Sequence, residues 1–243
     1  MIINAAAENR GAGHGPRRRG ARTWPGTSLL GSLAPTARDR ILAAGTLVTY
    51  KTDEVLMREG DVSSFALILL DGMVKVTGTA RDGHDVLLAV RQGGDLIGEF
   101  AAVDGHPRSA TVTSCAPIQG RWLSQDQFLH VLQVDPQIAH AVTASVVNRV
   151  RMANTYRVDL TNCDVPARVA RVLCHLVQGY GHDESRTAVV LPITQSELAS
   201  LCGAAEPTVQ RALRSLRKRR VVSTGYGKIT IVDAPVLCRM ASG

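Results

Sequence analysis

Between residues 46 and 123, runs rich in Val, Leu, Ile and Thr are punctuated by Glu59-Gly60-Asp61, Asp71-Gly72, Arg81-Asp82-Gly83, Gly93-Gly94-Asp95 and Asp104-Gly105. These turn signals recur roughly every 10–12 residues, the spacing of short strands joined by tight turns, and predict a β-sandwich or jelly-roll barrel. A short helix is expected before it, over residues 36–44, stopping at Gly45. After Trp122 the pattern turns helical. Ser124 can cap a helix running to Val134, and Asp135-Pro136 opens a long one, with Asp at the N-cap and Pro in the first turn. Its apolar positions Ile138, Val142, Val146, Val150, Ala153, Tyr156 and Leu160 are spaced 4, 4, 4, 3, 3 and 4 residues apart. That is one stripe about 33 Å long at 1.5 Å per residue, more than a small barrel needs for cover. It suits pairing with the same helix of a second subunit; burial within its own chain is the alternative. Asp164-Val165-Pro166 breaks the run, a helix is expected over residues 167–178 with its end at Gly179, and a polar loop follows to about Thr187.

The segment 193–222 reads ITQSELASLCGAAEPTVQRALRSLRKRRVV. Thr194 and Glu197 form a T-x-x-E capping box that opens a helix through Leu201. Cys202-Gly203-Ala204-Ala205 is a tight turn, and a second helix runs from Glu206 to about Arg219 with Val209, Leu213 and Leu216 on its core side. Two short helices across a four-residue turn match the helix-turn-helix pattern, and strands over 221–223 and 228–232 around Gly225-Tyr226-Gly227 predict a wing. Thr208, Gln210, Arg211 and Arg214 lie near the start of the second helix or on its polar side. There Arg can bond bidentately to guanine and Gln to adenine in a major groove. Arg217, Lys218, Arg219 and Arg220 suit phosphates, which position without specifying sequence. An αα-hairpin with a merely solvated basic face is the plainer alternative.

Composition narrows the class. The chain has 243 residues, enough for one or two domains. Its longest apolar runs, residues 65–70 and 86–90, are far below the roughly 18 residues of a membrane helix. No basic residue precedes the first apolar stretch Met1-Ile2-Ile3, so no signal peptide is expected and the cytoplasm is the expected compartment. Five dispersed cysteines without C-x-x-C spacing are expected to be reduced thiols, with neither a disulfide framework nor a zinc or iron–sulfur site. His14, His84 and His106 are expected to be solvated, and no metal is expected. The net charge of +7 divides into +4 for residues 1–28, −2 for 29–163 and +5 for 164–243, a basic C-terminal block suited to a polyanion. Residues 1–28, with Gly15-Pro16-Arg17-Arg18-Arg19-Gly20, are expected to be a disordered basic tail. No P-loop, H-E-x-x-H or G-x-S-x-G element is present, so no enzyme is expected.

Residues 97–112 read IGEFAAVDGHPRSATV. Arg108 offers a planar fork of donors to a phosphate. The Ser109 hydroxyl and nearby backbone N–H groups can complete a cradle, Glu99 can accept from a ribose hydroxyl, and Gly98 permits close backbone approach. An Arg108–Glu99 salt bridge is the alternative. With its flanks, GDLIGEFAAVDGHPRSATV resembles the phosphate-binding cassette of the cyclic-nucleotide-binding domain. Together with the long helix, the Asp164-Val165-Pro166-Ala167-Arg168-Val169-Ala170 hinge and the winged helix-turn-helix, the chain resembles the cyclic-AMP receptor protein/FNR family of bacterial transcription regulators over about residues 29–235.

The resemblance implies an α+β chain: a cyclic-nucleotide-binding β jelly-roll barrel (29–135), a dimerisation helix (136–163) and a winged helix-turn-helix (164–243). It implies a homodimer whose DNA-reading units are aligned on two half-sites of a pseudo-palindromic double-stranded operator when a cyclic nucleotide binds. RNA polymerase is a further partner that such a role admits. No cofactor is required; cyclic AMP or cyclic GMP is the effector. By position, Glu99 would meet the ribose 2′-hydroxyl, Arg108 and Ser109 the cyclic phosphate with Gly98 and Ala110 beside them, and Ile97 and Val112 the apolar wall. The adenine-contacting pair falls on Ala153, which has no hydroxyl, and Asn154, which can serve an adenine edge. At the DNA the expected residues are Thr194, Gln195, Glu206, Thr208, Gln210, Arg211, Arg214 and Lys218. Ala205-Glu206-Pro207 replaces the usual Ser-Arg opening, so Glu206 would accept from cytosine N4 and the operator would depart from the family's consensus. A regulator independent of nucleotide, or a nucleotide sensor acting through a protein partner, are the alternatives.

Overall fold

The structure, a computed structural model, describes residues 23–179 and 188–242. In chain order it forms α1 (Leu29–Ser32), α2 (Pro35–Ala44), β1 (Thr46–Tyr50), β2 (Val55–Met57), β3 (Ala66–Leu69), β4 (Met73–Thr79), β5 (Asp85–Gln92) and β6 (Leu96–Ile97). Then come α3 (Glu99–Asp104), β7 (Thr111–Ser114), β8 (Ile118–Leu123), α4 (Gln125–Val134), α5 (Pro136–Asn162) and α6 (Val165–Gly179). The last section is β9 (Val189–Leu191), α7 (Gln195–Cys202), α8 (Glu206–Lys218), β10 (Val222–Gly225), β11 (Lys228–Ile231) and α9 (Ala234–Ala241).

The expected strands close into two antiparallel four-stranded sheets, ordered β1-β8-β3-β6 and β2-β7-β4-β5. Leu56, Met57, Leu67, Leu69, Val74, Ile97, Val112 and Ile118 fill the space between them. The other face of β3, Ala66 and Ile68, packs against α1, α2, α4 and the start of α5 through Leu30, Ile41, Phe128 and Ile138. Both faces of β3 are therefore covered, which explains why its sequence is an unbroken apolar run instead of an alternation. The described chain makes contacts before Leu29: the Trp24 indole N–H donates to the Leu70 carbonyl (3.0 Å) and Ser28, which is buried, caps α1. The expected basic tail otherwise lies outside the described residues, as does the polar loop over 180–187.

Asp135 anchors α5. Its Oδ1 accepts from the Gln137 amide at 3.0 Å, and its Oδ2 from Arg40 Nε of α2 at 2.7 Å. The stripe along α5 divides: Ile138 and Val142 are buried against the barrel, Val146 and Tyr156 are half-buried, and Val150, Ala153 and Leu160 are exposed, Val150 at 54% and Leu160 at 46%. Burial of the whole stripe within one chain is thereby overturned, because its later members Val150, Ala153 and Leu160 stay exposed.

Asp164 does not simply break the chain. Its Oδ1 accepts from the Ala167 amide at 2.9 Å, so α6 starts at Val165. The C-terminal unit packs α6, α7, α8, α9 and the sheet β10-β11-β9 around Val169, Leu173, Leu198, Val209, Leu213, Ile229 and Leu237. Strand β9 and helix α9 are additions to the sequence expectation. The same core takes in Leu87 and Val90 of β5, and Lys75 of β4 meets Glu197 of α7 at 2.6 Å. The reading head thus rests on its own barrel.

One expectation about sulfur is corrected. Cys174 of α6 and Cys238 of α9 form a disulfide, with Cα atoms 5.2 Å apart; Cys115, Cys163 and Cys202 are free thiols. The two positions are 64 residues apart in sequence, and only the return of α9 onto α6 brings them together. Dispersal along the chain carried no information about that proximity.

Candidate functional site

The turn from β6 into α3 places Gly98 in the left-handed region (φ +78°), where a Cβ would lie 2.7 Å from Arg108 Nη1 and 2.9 Å from the Phe65 carbonyl. Glycine is needed there because the Arg108 guanidinium occupies that space. Arg108 is only 4% exposed. Its Nε donates to Ser63 Oγ (3.0 Å), Nη1 to the Gly98 carbonyl (2.9 Å) and Nη2 to the Phe65 carbonyl (2.8 Å), with the Phe65 ring 4.5 Å away. Burial lowers its pKa, and the Glu99 and Asp61 charges offset part of that fall. Three of five N–H donors are spent on positioning, leaving two. Beside them, the Ser109 and Ala110 amides make no backbone hydrogen bond among the described residues, and Ser109 is exposed. A rigid fork, two free amides and a hydroxyl form a cradle whose chemistry fits a monoanionic phosphate diester.

Glu99 is buried, but its partner is not Arg108. Arg149 of α5 donates through Nη1 to Glu99 Oε1 and through Nη2 to the Leu96 carbonyl. The Arg108–Glu99 salt bridge considered from sequence is therefore overturned: the barrel carbonyls hold the Arg108 fork away from Glu99, and Arg149 takes the carboxylate. Arg149 was missed because its partner is 50 residues away; its break of an otherwise apolar and small face of α5 was the only available signal. Around this pair, burial brings Arg91 down to about 10, raises Asp95 and pushes Tyr156 up to about 12. Asn154 lies exposed on α5 with no hydrogen bond to the cassette, as does Ala153. Ile97 and Val112 are buried in the barrel core.

From Arg149, α5 runs on to the reading head. The Tyr156 ring lies 5.8 Å from that of His175 on α6. Asp159 meets Arg171 at 2.6 Å. Leu160 packs against the α7–α8 turn, where a Cβ on Gly203 would come within 2.4 Å of it, and Gly203 takes φ +55°. One continuous helix therefore touches both the cradle and the turn of the head.

In the head, Thr194 Oγ1 accepts from the Glu197 amide (3.1 Å) and Glu197 Oε2 from the Thr194 amide (2.7 Å), closing the expected capping box, with Gln195 half-buried beside it. Glu197 also holds Lys75, so the start of α7 is tied to the barrel. Helix α8 buries Val209, Ala212, Leu213 and Leu216 and exposes Arg211, Arg214 and Lys218. Ala205 provides no side-chain cap. Glu206 and Gln210 engage each other (3.0 Å) one turn apart, so each presents only its remaining hydrogen-bonding capacity, and Thr208 is half-buried. Arg217 Nη1 donates to Thr224 Oγ1 (3.0 Å), bracing the helix on the wing, whose tip residue Tyr226 is fully exposed. His84 and His106 sit on exposed loops beside Asp82 and Asp104, and among the described residues no group of three or more His, Cys, Asp or Glu could hold a metal. No described helix is long and apolar enough to cross a membrane.

A barrel with an anion cradle, joined by one long helix to a winged helix-turn-helix, defines a DNA-binding regulator with its own small-molecule domain. Residues 47–135 match the family model of the cyclic nucleotide-binding domain, and residues 167–240 that of the Crp-like helix-turn-helix domain. The chain is 29% identical over 195 residues to the CRP-like cAMP-activated global transcriptional regulator of Mycobacterium tuberculosis, covering 80% of this chain and 87% of that protein. Among solved structures it resembles the catabolite activator protein of Thermus thermophilus, with 26% identity, TM-score 0.51, and coverage of 88% and 98% of the two chains. FixK2 from Bradyrhizobium japonicum shares the fold, with 19% identity, TM-score 0.69, and coverage of 82% and 98%. The chain belongs to the Crp/Fnr family of transcription regulators.

Proposed function

We propose that this regulator works in the cytoplasm as a homodimer on a pseudo-palindromic operator, and that a cyclic nucleotide in the cradle gates its DNA affinity. Residues 29–135 would sense, 136–163 pair and 164–243 read. Cyclic AMP, the ligand in the name of the mycobacterial relative, is the first candidate and cyclic GMP the second. The observation that carries this reading is the Arg108 fork, held by the barrel with two donors unspent beside the free Ser109 and Ala110 amides. Gly98 leaves room for the fork, and Glu99 would take the ribose 2′-hydroxyl. A ribose competing for Glu99 weakens its hold on Arg149, and α5 carries that change to Tyr156, Leu160 and the head. Calorimetric titration of the intact chain with each nucleotide tests it: saturable one-per-chain heat is expected, and no heat from either ends the reading.

At the DNA, Thr194, Gln195, Glu206, Thr208, Gln210, Arg211, Arg214 and Lys218 are the proposed contacts. Arg211→Ala is expected to cost about 1–3 kcal/mol at one base position, whereas Lys218→Ala lowers affinity evenly and reduces the salt slope by about 1. Selection from random duplexes followed by salt titration reads both. A second reading, a regulator independent of nucleotide, is favoured by Ala153 and by the lack of any contact from Asn154 to the cassette; a footprint unchanged by nucleotide supports it.

A further inference from the structure

We propose that Cys174 and Cys238 are a reversible thiol–disulfide exchange site that sets how firmly α9 holds the junction between the long helix and the reading head. The inference goes beyond effector binding and DNA reading and needs neither to be true. The two sulfurs differ in access. Cys174 is 5% exposed in the head core, whereas Cys238 is half-buried and borders an open groove with Pro235, Arg239 and Ser242. A small thiol reaches Cys238 first, and the exposed Arg239 in the same groove favours an incoming thiolate or an anionic thiol. The disulfide closes a loop that contains α7, α8 and the whole wing.

The contacts of α9 extend to the hinge. Leu237 is fully buried, and the Ala241 carbonyl accepts from Arg171 Nε at 2.9 Å. The same Arg171 donates through Nη1 to Asp159 of α5 (2.6 Å) and to Cys163 Sγ (2.8 Å), the residue that ends α5. With the disulfide closed, α9 holds the Arg171 side chain at Nε, and Arg171 holds the end of the long helix through Nη1. With it open, an eight-residue helix is left held by Leu237, its apolar neighbours and the Arg171–Ala241 hydrogen bond, and helices this short frequently open locally.

The chemistry balances with a small thiol as reductant. A thiolate attacks Cys238 Sγ, forming a mixed disulfide there and releasing Cys174 as thiolate. A second thiolate removes the small-molecule sulfur, so that Cys238 is released and a small-molecule disulfide leaves. Two electrons pass from two thiols to the protein, and their two protons end on Cys174 and Cys238. The reverse reaction uses the small-molecule disulfide as oxidant. Where a small thiol and its disulfide are both present, a partly exposed pair exchanges with them in either direction.

The test uses the intact chain equilibrated with reduced and oxidised glutathione, with thiol trapping and hydrogen–deuterium exchange as readouts. Glutathione is expected on Cys238 and not Cys174. Opening the pair is expected to speed exchange roughly tenfold or more over both 234–241 and 159–171, with 46–123 unchanged. Cys174→Ser is expected to reproduce the open pattern with or without reductant. A pair that resists glutathione until the whole head unfolds overturns the proposal, as does opening that leaves 159–171 unchanged. Because reduction needs no substitution, poor folding of the variant would not shield the proposal.

Discussion

Replacing Arg108 by lysine is expected to weaken cyclic-nucleotide binding about 100-fold or more while leaving the barrel folded. Lysine keeps the charge but replaces a planar fork with a point charge, so the paired bonds to a phosphate are lost at about 1.5–3 kcal/mol each. The carbonyls of Gly98 and Phe65 and the Ser63 hydroxyl, all now served by Arg108, compete for the same three ammonium protons. Arg108→Ala is a poorer test, since it leaves two barrel carbonyls without donors at roughly 1–3 kcal/mol each and lowers stability as well. Calorimetry with parallel melting separates the two effects. Wild-type affinity in Arg108→Lys would mean that the ligand, if bound, sits elsewhere.

The second large effect is expected at the middle of α5. Val150→Glu is predicted to shift the protein to monomer at micromolar concentration, because Val147 and Val150 are 43% and 54% exposed among the described residues. Burying a side chain of this kind contributes about 1.5–3 kcal/mol. The substitution loses that term and faces two carboxylates across a two-fold axis, a loss of roughly 3 kcal/mol or more. Affinity for a full operator should fall toward that for one half-site. Sedimentation velocity reads the mass directly, and an unchanged mass would contradict pairing through this face. Val150 is exposed and takes no part in the Glu99–Arg149 pair, so nucleotide heat provides the check that the barrel is intact.

What the sequence disclosed and what it hid divide along local and non-local lines. Helix α5 was legible because Asp135-Pro136 and a 3.6-residue stripe are local signals, and both capping boxes, at Ser124 and Thr194, lie within four residues of chain. Helix α9 carries the same kind of local signal, since Asp233 accepts from the Val236 amide and Pro235 sits in the first turn. Strand β9 is three residues long and pairs with β11, too short for a period to register. The composition of the cradle was visible as Gly98, Glu99, Arg108, Ser109 and Ala110, but its wiring was not. Arg149 on Glu99, Lys75 on Glu197 and Cys174 on Cys238 are joined by topology across 50, 122 and 64 residues, and no local pattern encodes such distances. The engagement of Glu206 with Gln210 was the exception: an i, i+4 pair on a helix that could have been predicted.

The gate itself is tested most directly by measuring, on the intact chain, affinity for a duplex selected from a random pool as cyclic AMP and then cyclic GMP are titrated in. A nucleotide-gated regulator is expected to tighten at least about tenfold, a coupling of about 1.4 kcal/mol, with half-effect at the nucleotide's own dissociation constant and with the response lost in Arg108→Lys. An affinity that stays level through saturation of the barrel by either nucleotide would contradict it.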